Sequence, residues 1–242
     1  MLKRSVDVVV AGVALVVLAL PLVIIALLVV LDSRGPVFYR AERVGYRGRR
    51  LRMLKFRKMH ADATGGALTL AEDERLTRLG RRLARTHLDE LPQLWHVLTG
   101  EMSLVGPRPE SPDFVRLFAD EYEVILQVRP GLTGFTQVAF AREGAILDPQ
   151  DPRAHYLSTM LPQKVALDRL YADRRPSLVR DVKLMLATAV TLAGQPVAVD
   201  RTTGALTLRR RPASATTARR HSADEAGRGV TPLGDAPAPD ER

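Results

Sequence analysis

The chain has 242 residues, no cysteine and a formal net charge of +9 at pH 7. The absence of cysteine excludes disulfide bonds, thiolate metal sites and cysteine nucleophiles. The basic balance favours a negatively charged partner, such as anionic lipid, a phosphate-bearing substrate or nucleic acid. No recognised DNA-binding motif accompanies the charge, so nucleic acid is not expected as a partner.

An uncharged run from Val8 to Leu31, with Pro21 near its middle, dominates the N-terminus. The run reaches the ~20 apolar residues that cross a bilayer, but each arm beside the proline is too short. Lys3 and Arg34 flank the run, and basic flanks mark the cytoplasmic side of a membrane. Because proline kinks a helix, we predict a membrane helix that enters, bends at Pro21 and returns. A kinked transmembrane helix is the alternative.

Beyond the membrane segment, hydrophobic periodicity predicts helices and short extended segments. An extended stretch is predicted at 37–40, apolar and basic residues alternate over 51–59, and a second extended stretch is predicted at 132–140. Helices are predicted at 76–83, 88–98, 113–128, 162–171 and 178–192. The predicted fold class is therefore α+β and mostly α-helical.

The composition also divides the chain into three parts. Residues 1–33 form the predicted re-entrant membrane helix, and 34–200 are long enough for one compact domain. From about residue 201 the chain consists mainly of Arg, Ala, Thr, Gly and Pro, with almost no large apolar residues. Such a segment cannot bury enough surface to fold, so 201–242 are predicted to be a disordered basic tail.

Two adjacent acids, Asp89 and Glu90, stand at the start of the helix predicted at 88–98. A structural interpretation is that Thr86 and Asp89 form a capping box, since acids also favour helix N-termini. A catalytic interpretation is a carboxylate nucleophile beside a second carboxylate near Mg²⁺, because carboxylates attack phosphorus to form acyl phosphates. Helix N-termini also favour phosphate, so this pattern alone leaves both interpretations open.

Three basic segments are candidates for binding phosphate. The strip at 55–59 is either a solvated basic face or a phosphate clamp, in which arginine supplies paired donors and lysine a point charge. At 107–109 two prolines fix the backbone on either side of one arginine, which makes either a surface turn or a preorganised ligand contact. The turn around 129–131 has a similar character and is a weak signal alone.

Taken together and in order, these segments resemble the bacterial sugar transferase family, the monotopic polyprenyl-phosphate phosphoglycosyl transferases. The resemblance runs from Lys3 to about Val197, which is nearly all of the predicted folded chain. The matching pieces are Lys3-Arg4 with Asp7, 32–38, 43–45, 55–57, 88–94, 102–109 and 129–134. One such piece is weak evidence, whereas the ordered set is highly specific.

The resemblance implies a re-entrant helix in the inner leaflet and a catalytic domain at 34–200 on the cytoplasmic face of the bacterial inner membrane. It also implies a two-step reaction. Asp89 attacks the β-phosphate of a UDP-sugar, UMP leaves, and polyprenyl (undecaprenyl) phosphate then takes the phosphosugar from the enzyme. Mg²⁺ is the implied cofactor, with Asp89 among its ligands. The product would enter a surface glycoconjugate or exopolysaccharide pathway.

By the same resemblance, Asp89 and Glu90 are the catalytic residues, and Pro21 is the membrane bend. The implied substrate-binding residues are Lys55, Arg57, Pro107, Arg108, Pro109 and Arg129. The implied partners are the UDP-sugar, polyprenyl phosphate and membrane lipids, and a homo-oligomer is left open. The alternative function is a membrane-tethered, non-catalytic binding or scaffold protein of an envelope pathway.

Overall fold

The computed structural model describes residues 2–65, 68–174 and 176–208. Its helices are α1 (Leu2–Val17), α2 (Ala19–Asp32), α3 (Arg78–Thr86), α4 (Leu94–Thr99), α5 (Pro112–Leu117), α6 (Ala119–Ile125), α7 (Phe135–Ala139), α8 (Glu143–Ile146), α9 (Pro152–His155), α10 (Leu161–Ala172) and α11 (Leu178–Leu192). Its strands are β1 (Phe38–Val44), β2 (Arg50–Phe56), β3 (Ser103–Val105), β4 (Gly131–Thr133), β5 (Val197–Val199) and β6 (Leu206–Leu208). Within this part of the chain the strands form three two-stranded sheets, and the predicted α+β, mostly helical class is confirmed.

The uncharged N-terminal run folds into a bent helix pair. Helices α1 and α2 meet at 61°, with the break at Leu18. Pro21 lies in the first turn of α2, where a missing N–H costs little, and its ring would clash with the carbonyl of Val17 in a continuous helix. The break therefore lies three residues before the predicted position. Among the described residues no single helix is long and apolar enough to cross a membrane, although the bent pair meets that test by length and composition.

The base of α1 is fixed to the rest of the protein by buried polar contacts. Lys3 Nζ donates to Asp181 Oδ2 at 2.6 Å. The buried carboxylate of Asp7 accepts from Ser103 Oγ at 2.8 Å and from the backbone N–H of Leu104 at 3.2 Å. These contacts join the first two turns of α1 to α11 and β3.

The C-terminal end of α2 is fixed to the rest of the protein by hydrogen bonds from one arginine. Arg57, at the end of β2, donates to the backbone carbonyls of Ser33 at 2.6 Å and Val29 at 3.2 Å, and also to that of Arg34. The last carbonyls of a helix have no partner within it, so Arg57 caps α2. Both ends of the helix pair are thus tied to one body.

Between these ends, both helices expose large apolar side chains. The most exposed are Val9, Val13, Val16, Val17, Leu20, Val23, Leu27 and Leu31. A contiguous apolar surface of this kind marks an interaction surface.

The main core forms where the β1–β2 hairpin packs on helices. The strands are antiparallel, and alternate residues of the hairpin face inward, which buries Ala41, Leu51 and Met53 against Val97 and Phe135. Period-two alternation is the signature of a strand with one buried face. Accordingly, the predicted alternation at 51–59 covers all of β2 except its first residue, Arg50.

Other predictions differ at their boundaries or in their class. The extended stretch predicted at 132–140 is wrong, because β4 ends at Thr133 and α7 then places Phe135 and Val138 on one buried helical face. The helix predicted at 88–98 is a 3₁₀ turn (Leu88–Gln93) followed by α4. Strand β6 pairs with β5 inside the predicted tail, and the rest of that tail lies outside the described residues.

Candidate active site

A cleft of about 740 Å³ gathers side chains that are distant in the sequence. That volume is typical of ligand-binding sites. Five of the predicted site residues line it: Lys55, Asp89, Glu90, Arg108 and Pro109. They come from β2, from the 3₁₀ turn and from the loop after β3. Further basic side chains line the same cleft: Arg43, Lys58, Arg81, Arg85, His87 and Arg142.

A sharp turn between α3 and the 3₁₀ turn presents the two acids. His87 adopts a left-handed backbone conformation with φ 56°, and its Nε2 donates to the carbonyl of Ala141 at 2.9 Å. The predicted capping box is wrong, since the hydroxyl of Thr86 donates to the carbonyl of Arg82 inside α3. The acids therefore do not serve as a helix cap there.

Glu90 is paired with two cations. Its Oε1 accepts from Lys55 Nζ at 2.7 Å and from Arg108 Nη2 at 2.9 Å. Burial alone would raise the pKa of Glu90, but Arg108 and Lys55 hold it well below the usual range. Burial also lowers the pKa of Lys55, an effect that Glu90 opposes. Glu90 is therefore ionised and holds the two cations side by side.

Asp89 is equally buried but poorly compensated. Only 2% of the residue is exposed, and Lys58 Nζ lies 3.8 Å from its Oδ2. Within the described residues its carboxylate accepts no hydrogen bond. Burial raises the pKa of Asp89, with Lys55 opposing and Glu90 reinforcing the shift. A carboxylate with little stabilisation and unused lone pairs has the character of a nucleophile.

The carboxylates of the cleft can be compared with the ligands that the expected magnesium ion needs. Among the described residues no group of three or more His, Asp or Glu side chains could hold a metal alone. Mg²⁺ in phosphate sites, however, commonly takes one or two carboxylates and completes its shell with substrate phosphates and water. Glu90 is engaged by Lys55 and Arg108, whereas Asp89 keeps unused oxygens. The cleft thus fits a magnesium ion that would take Asp89 as its protein ligand and complete its shell with phosphate oxygens and water.

Three predicted site residues lie outside the lining of this cleft. Arg57 caps α2. Arg129 Nε donates to the carbonyl of Gly100 at 2.9 Å, and its guanidinium lies 5.1 Å from the ring centroid of Tyr46. The carbonyl of Pro107 accepts from the N–H of Gly131 at 2.8 Å. All three residues thus contact backbone groups that do not line the cleft.

Sequence reasoning missed a second cluster in the cleft wall. Lys164 Nζ lies 3.1 Å from Glu143 Oε2 and donates to the hydroxyl of Tyr156 at 2.9 Å. That hydroxyl in turn donates to Glu110 Oε2 at 2.7 Å. These residues come from four separate segments. No local pattern marks them, because only the packing of α8 and α10 against the loop after β3 brings them together.

Comparisons with known proteins point to one family. The sequence model described as "Bacterial sugar transferase" matches residues 1–195. A "UDP-glucose:undecaprenyl-phosphate glucose-1-phosphate transferase" of Caulobacter vibrioides is 38% identical over 195 residues, which are 78% of this chain and 69% of that protein. An "Undecaprenyl-phosphate glucose phosphotransferase" of Komagataeibacter xylinus is 37% identical over 77% of this chain.

The overlap with these relatives varies in length. The match spans 35% of the Komagataeibacter protein, but 94% of an "Exopolysaccharide production protein PSS" of Rhizobium leguminosarum that is 36% identical over 200 residues. Because the family match covers most of the sequence, the resemblance drawn from the motifs and the transferase class are confirmed: the chain belongs to the bacterial sugar transferase family.

Proposed function

We propose that this chain transfers a phosphosugar from a UDP-sugar to polyprenyl phosphate, with Asp89 as the covalent nucleophile. The observation that carries the proposal is the contrast inside the acid pair. Glu90 is neutralised by Lys55 and Arg108, whereas the buried carboxylate of Asp89 has one cation at 3.8 Å. The names of the relatives, which specify undecaprenyl phosphate and UDP-sugars, support the same substrates.

The reaction proceeds in two displacements at one phosphorus atom. In the first, an Asp89 oxygen bonds to the β-phosphorus, and the bond from that phosphorus to the bridging oxygen breaks. UMP leaves with the bridging oxygen and its electron pair. In the second, a phosphate oxygen of the polyprenyl phosphate bonds to the same phosphorus, and the Asp89 carboxylate leaves. The product is a polyprenyl-diphosphate sugar, and no net proton transfer is required between the phosphate anions.

The surrounding charges suit this chemistry. Lys55 and Arg108 both bind Oε1 of Glu90 and present fixed positive charge to a phosphoryl group, which stabilises charge that develops in transfer. Asp89 would hold the magnesium ion, which supplies further charge neutralisation for the diphosphate. The other basic side chains of the cleft attract an anionic donor.

The helix pair supports a specific membrane arrangement. A polyprenyl acceptor resides in lipid, so the cleft must sit close to the bilayer. The bases of α1 and α2 are tied to one body by Lys3, Asp7 and Arg57, which favours a pair that enters and leaves on the same face. We therefore propose that α1–α2 is re-entrant in the inner membrane, with 34–200 as the catalytic domain on the cytoplasmic face.

Trapping tests the nucleophile. The purified chain is mixed with Mg²⁺ and UDP-sugars labelled in the β-phosphate, without polyprenyl phosphate, and is then quenched and digested. We expect label on the peptide that contains Asp89, release on addition of polyprenyl phosphate, and no label in Asp89→Asn. Asp113→Asn, the same change at a carboxylate that is 70% exposed, is the matched control and should label normally. A preparation that turns over without labelling Asp89 overturns the mechanism, and no turnover with any donor favours the scaffold alternative.

Cysteine labelling tests the topology. The chain has no cysteine, so single cysteines at the exposed positions Leu2 and Arg34 report separately on the two ends of the pair. An impermeant thiol reagent applied to intact cells should label neither, and both should react after lysis. Labelling of one end alone in intact cells identifies a spanning helix and overturns re-entry.

A further inference from the structure

A second polar cluster, here called the Lys164 cluster, lines the same cleft as Asp89 but has no part in the phosphate chemistry. It consists of Glu110, Glu143, Tyr156 and Lys164. Lys164 Nζ lies 3.7 Å from Glu110 Oε2 and 3.1 Å from Glu143 Oε2, so two glutamates share one ammonium group. The cluster therefore contains two carboxylates and one ammonium group.

The stability of the fold does not explain why these charged side chains are buried here. Glu110, Tyr156 and Lys164 are nearly fully buried. Burying an ion pair removes both charges from water, and apolar replacements of similar volume are often neutral or stabilising. Charge in this cleft wall is thus better explained by what the cleft binds.

Glu143 is the member with unused hydrogen-bonding capacity. Both of its oxygens contact the same Lys164 Nζ, at 3.2 and 3.1 Å. A carboxylate can accept about four hydrogen bonds. The side chain of Glu143 is 26% exposed, and within the described part of the chain it has no other donor. Its remaining lone pairs are available to a ligand.

Aromatic rings line the same cleft as this acceptor. Phe114, Phe140 and Tyr156 line the cleft, and the ring centroids of Phe114 and Tyr156 lie 4.9 Å apart. Sites for neutral organic ligands combine apolar and aromatic walls with a few fixed polar groups. This end of the cleft has that combination.

We propose that the Lys164 cluster is the subsite for a neutral, hydroxyl-bearing ring of the donor. Glu143 accepts hydrogen bonds from ring hydroxyls, and Phe140 packs against the apolar face of the ring. The inference rests on the proposed function, and it adds what recognises the uncharged part of the substrate. Two rings of a UDP-sugar have this chemistry, the transferred sugar and the ribose of the nucleotide.

Glu143→Gln separates these two sources. It keeps the shape of the side chain and removes its charge, and Glu123→Gln, at an exposed position on α6, is the matched control. We measure kcat/KM for UDP-glucose, UDP-galactose and their two N-acetylated counterparts, together with the inhibition constant of UMP. If the ring is the sugar, the ratios between donors change by about 10-fold or more while inhibition by UMP is unchanged. If the ring is the ribose, the inhibition constant of UMP rises by about 10-fold and all donors lose equally.

The proposal is overturned if Glu143→Gln keeps both the donor ratios and the UMP inhibition constant of the unmodified protein. Thermal unfolding is recorded in parallel, and Glu143→Asp, which keeps the charge but shortens the reach, provides a second variant if the first unfolds early. Failure here is distinguishable from failure of the proposed function. An unmodified protein that releases no UMP from any donor contradicts the latter, whereas normal turnover with unaltered selectivity contradicts only the subsite.

Discussion

The base of α1 and the floor of the cleft both bury carboxylates, but they compensate them differently. At the base of α1, Asp7 accepts two hydrogen bonds and Asp181 pairs with Lys3 at 2.6 Å. On the floor of the cleft, Glu90 is paired as completely as Asp181, while Asp89 beside it has one ion pair at 3.8 Å and no hydrogen-bond donor among the described residues.

The difference separates a structural charge from a reactive one. A buried carboxylate with good donors is stable as an anion and is a poor nucleophile. A buried carboxylate without them is raised in free energy, because burial costs its hydration and no hydrogen bond replaces it. Asp89 is such a carboxylate. Its high free energy as an anion favours bonding to phosphorus.

The largest expected effects come from replacing one buried aspartate by asparagine in each region. Asp89→Asn should lower turnover on the order of 10⁴-fold, because the nucleophile is lost, and leave the unfolding temperature equal or higher. Asp7→Asn should keep kcat but reduce the free energy of unfolding by about 1–3 kcal/mol, because two hydrogen bonds lose their charged acceptor. UMP release and thermal unfolding in detergent measure the two effects.

That pair of variants has a clear contrary outcome. If Asp89→Asn loses stability and Asp7→Asn loses turnover, the assignment of roles to the two regions is reversed. Asp113→Asn, on the surface of α5, should change neither quantity and controls for the substitution itself.

Glu90→Gln should have the next largest effect. The change leaves the buried charges of Lys55 and Arg108 without their shared anion, and unpaired buried charges cost several kcal/mol. We expect kcat/KM to fall by about 100-fold, with the nucleophile still able to take label in the trapping assay. Glu123→Gln, at an exposed carboxylate on α6, is the matched control. A variant with normal kcat/KM contradicts the positioning role of Glu90.

A smaller effect is expected in the dependence of kcat on pH. Asp89 attacks as an anion, and burial raises its pKa, so kcat should begin to fall at a higher pH than an ordinary aspartate would allow. Because the neighbouring charge of Glu90 reinforces that rise, Glu90→Gln should move the acidic limb of the residual activity to lower pH. An acidic limb that stays in place, or moves upward, contradicts this coupling.

Features encoded within one segment can be predicted from the sequence, whereas clusters that form only by packing cannot. The helix predicted at 178–192 has the bounds of α11, because its apolar spacing is a local signal. The motif containing Asp89 and Glu90 was likewise readable in one segment. The capping by Arg57 was not, because an arginine in a basic strip looks the same whether it faces phosphate or the end of a helix. Nor was the Lys164 cluster, whose members meet only through packing.

Asp168 provides the smallest and most quantitative test of the comparison, because it is buried like Asp7 but receives both of its donors on one oxygen, whereas Asp7 receives one donor on each. Thr136 Oγ1 at 2.6 Å and the N–H of Arg108 at 3.3 Å both donate to its Oδ1. Burial raises its pKa to about 7, and these hydrogen bonds only partly oppose the rise. A raised folded-state pKa means that the folded protein holds this proton more tightly than the unfolded chain does.

The stabilisation linked to that proton is complete below the unfolded-state pKa and is lost as the pH rises through about 7. Relative to Asp168→Asn, which is neutral at every pH, the unmodified protein should lose about 1 kcal/mol of unfolding free energy between pH 6 and 8. Denaturant unfolding of both proteins across this range measures the difference, and all other titrating groups cancel. A difference that stays constant with pH means that Asp168 is already ionised in the folded protein, in which case a buried aspartate with two donors on one oxygen is as well compensated as Asp7.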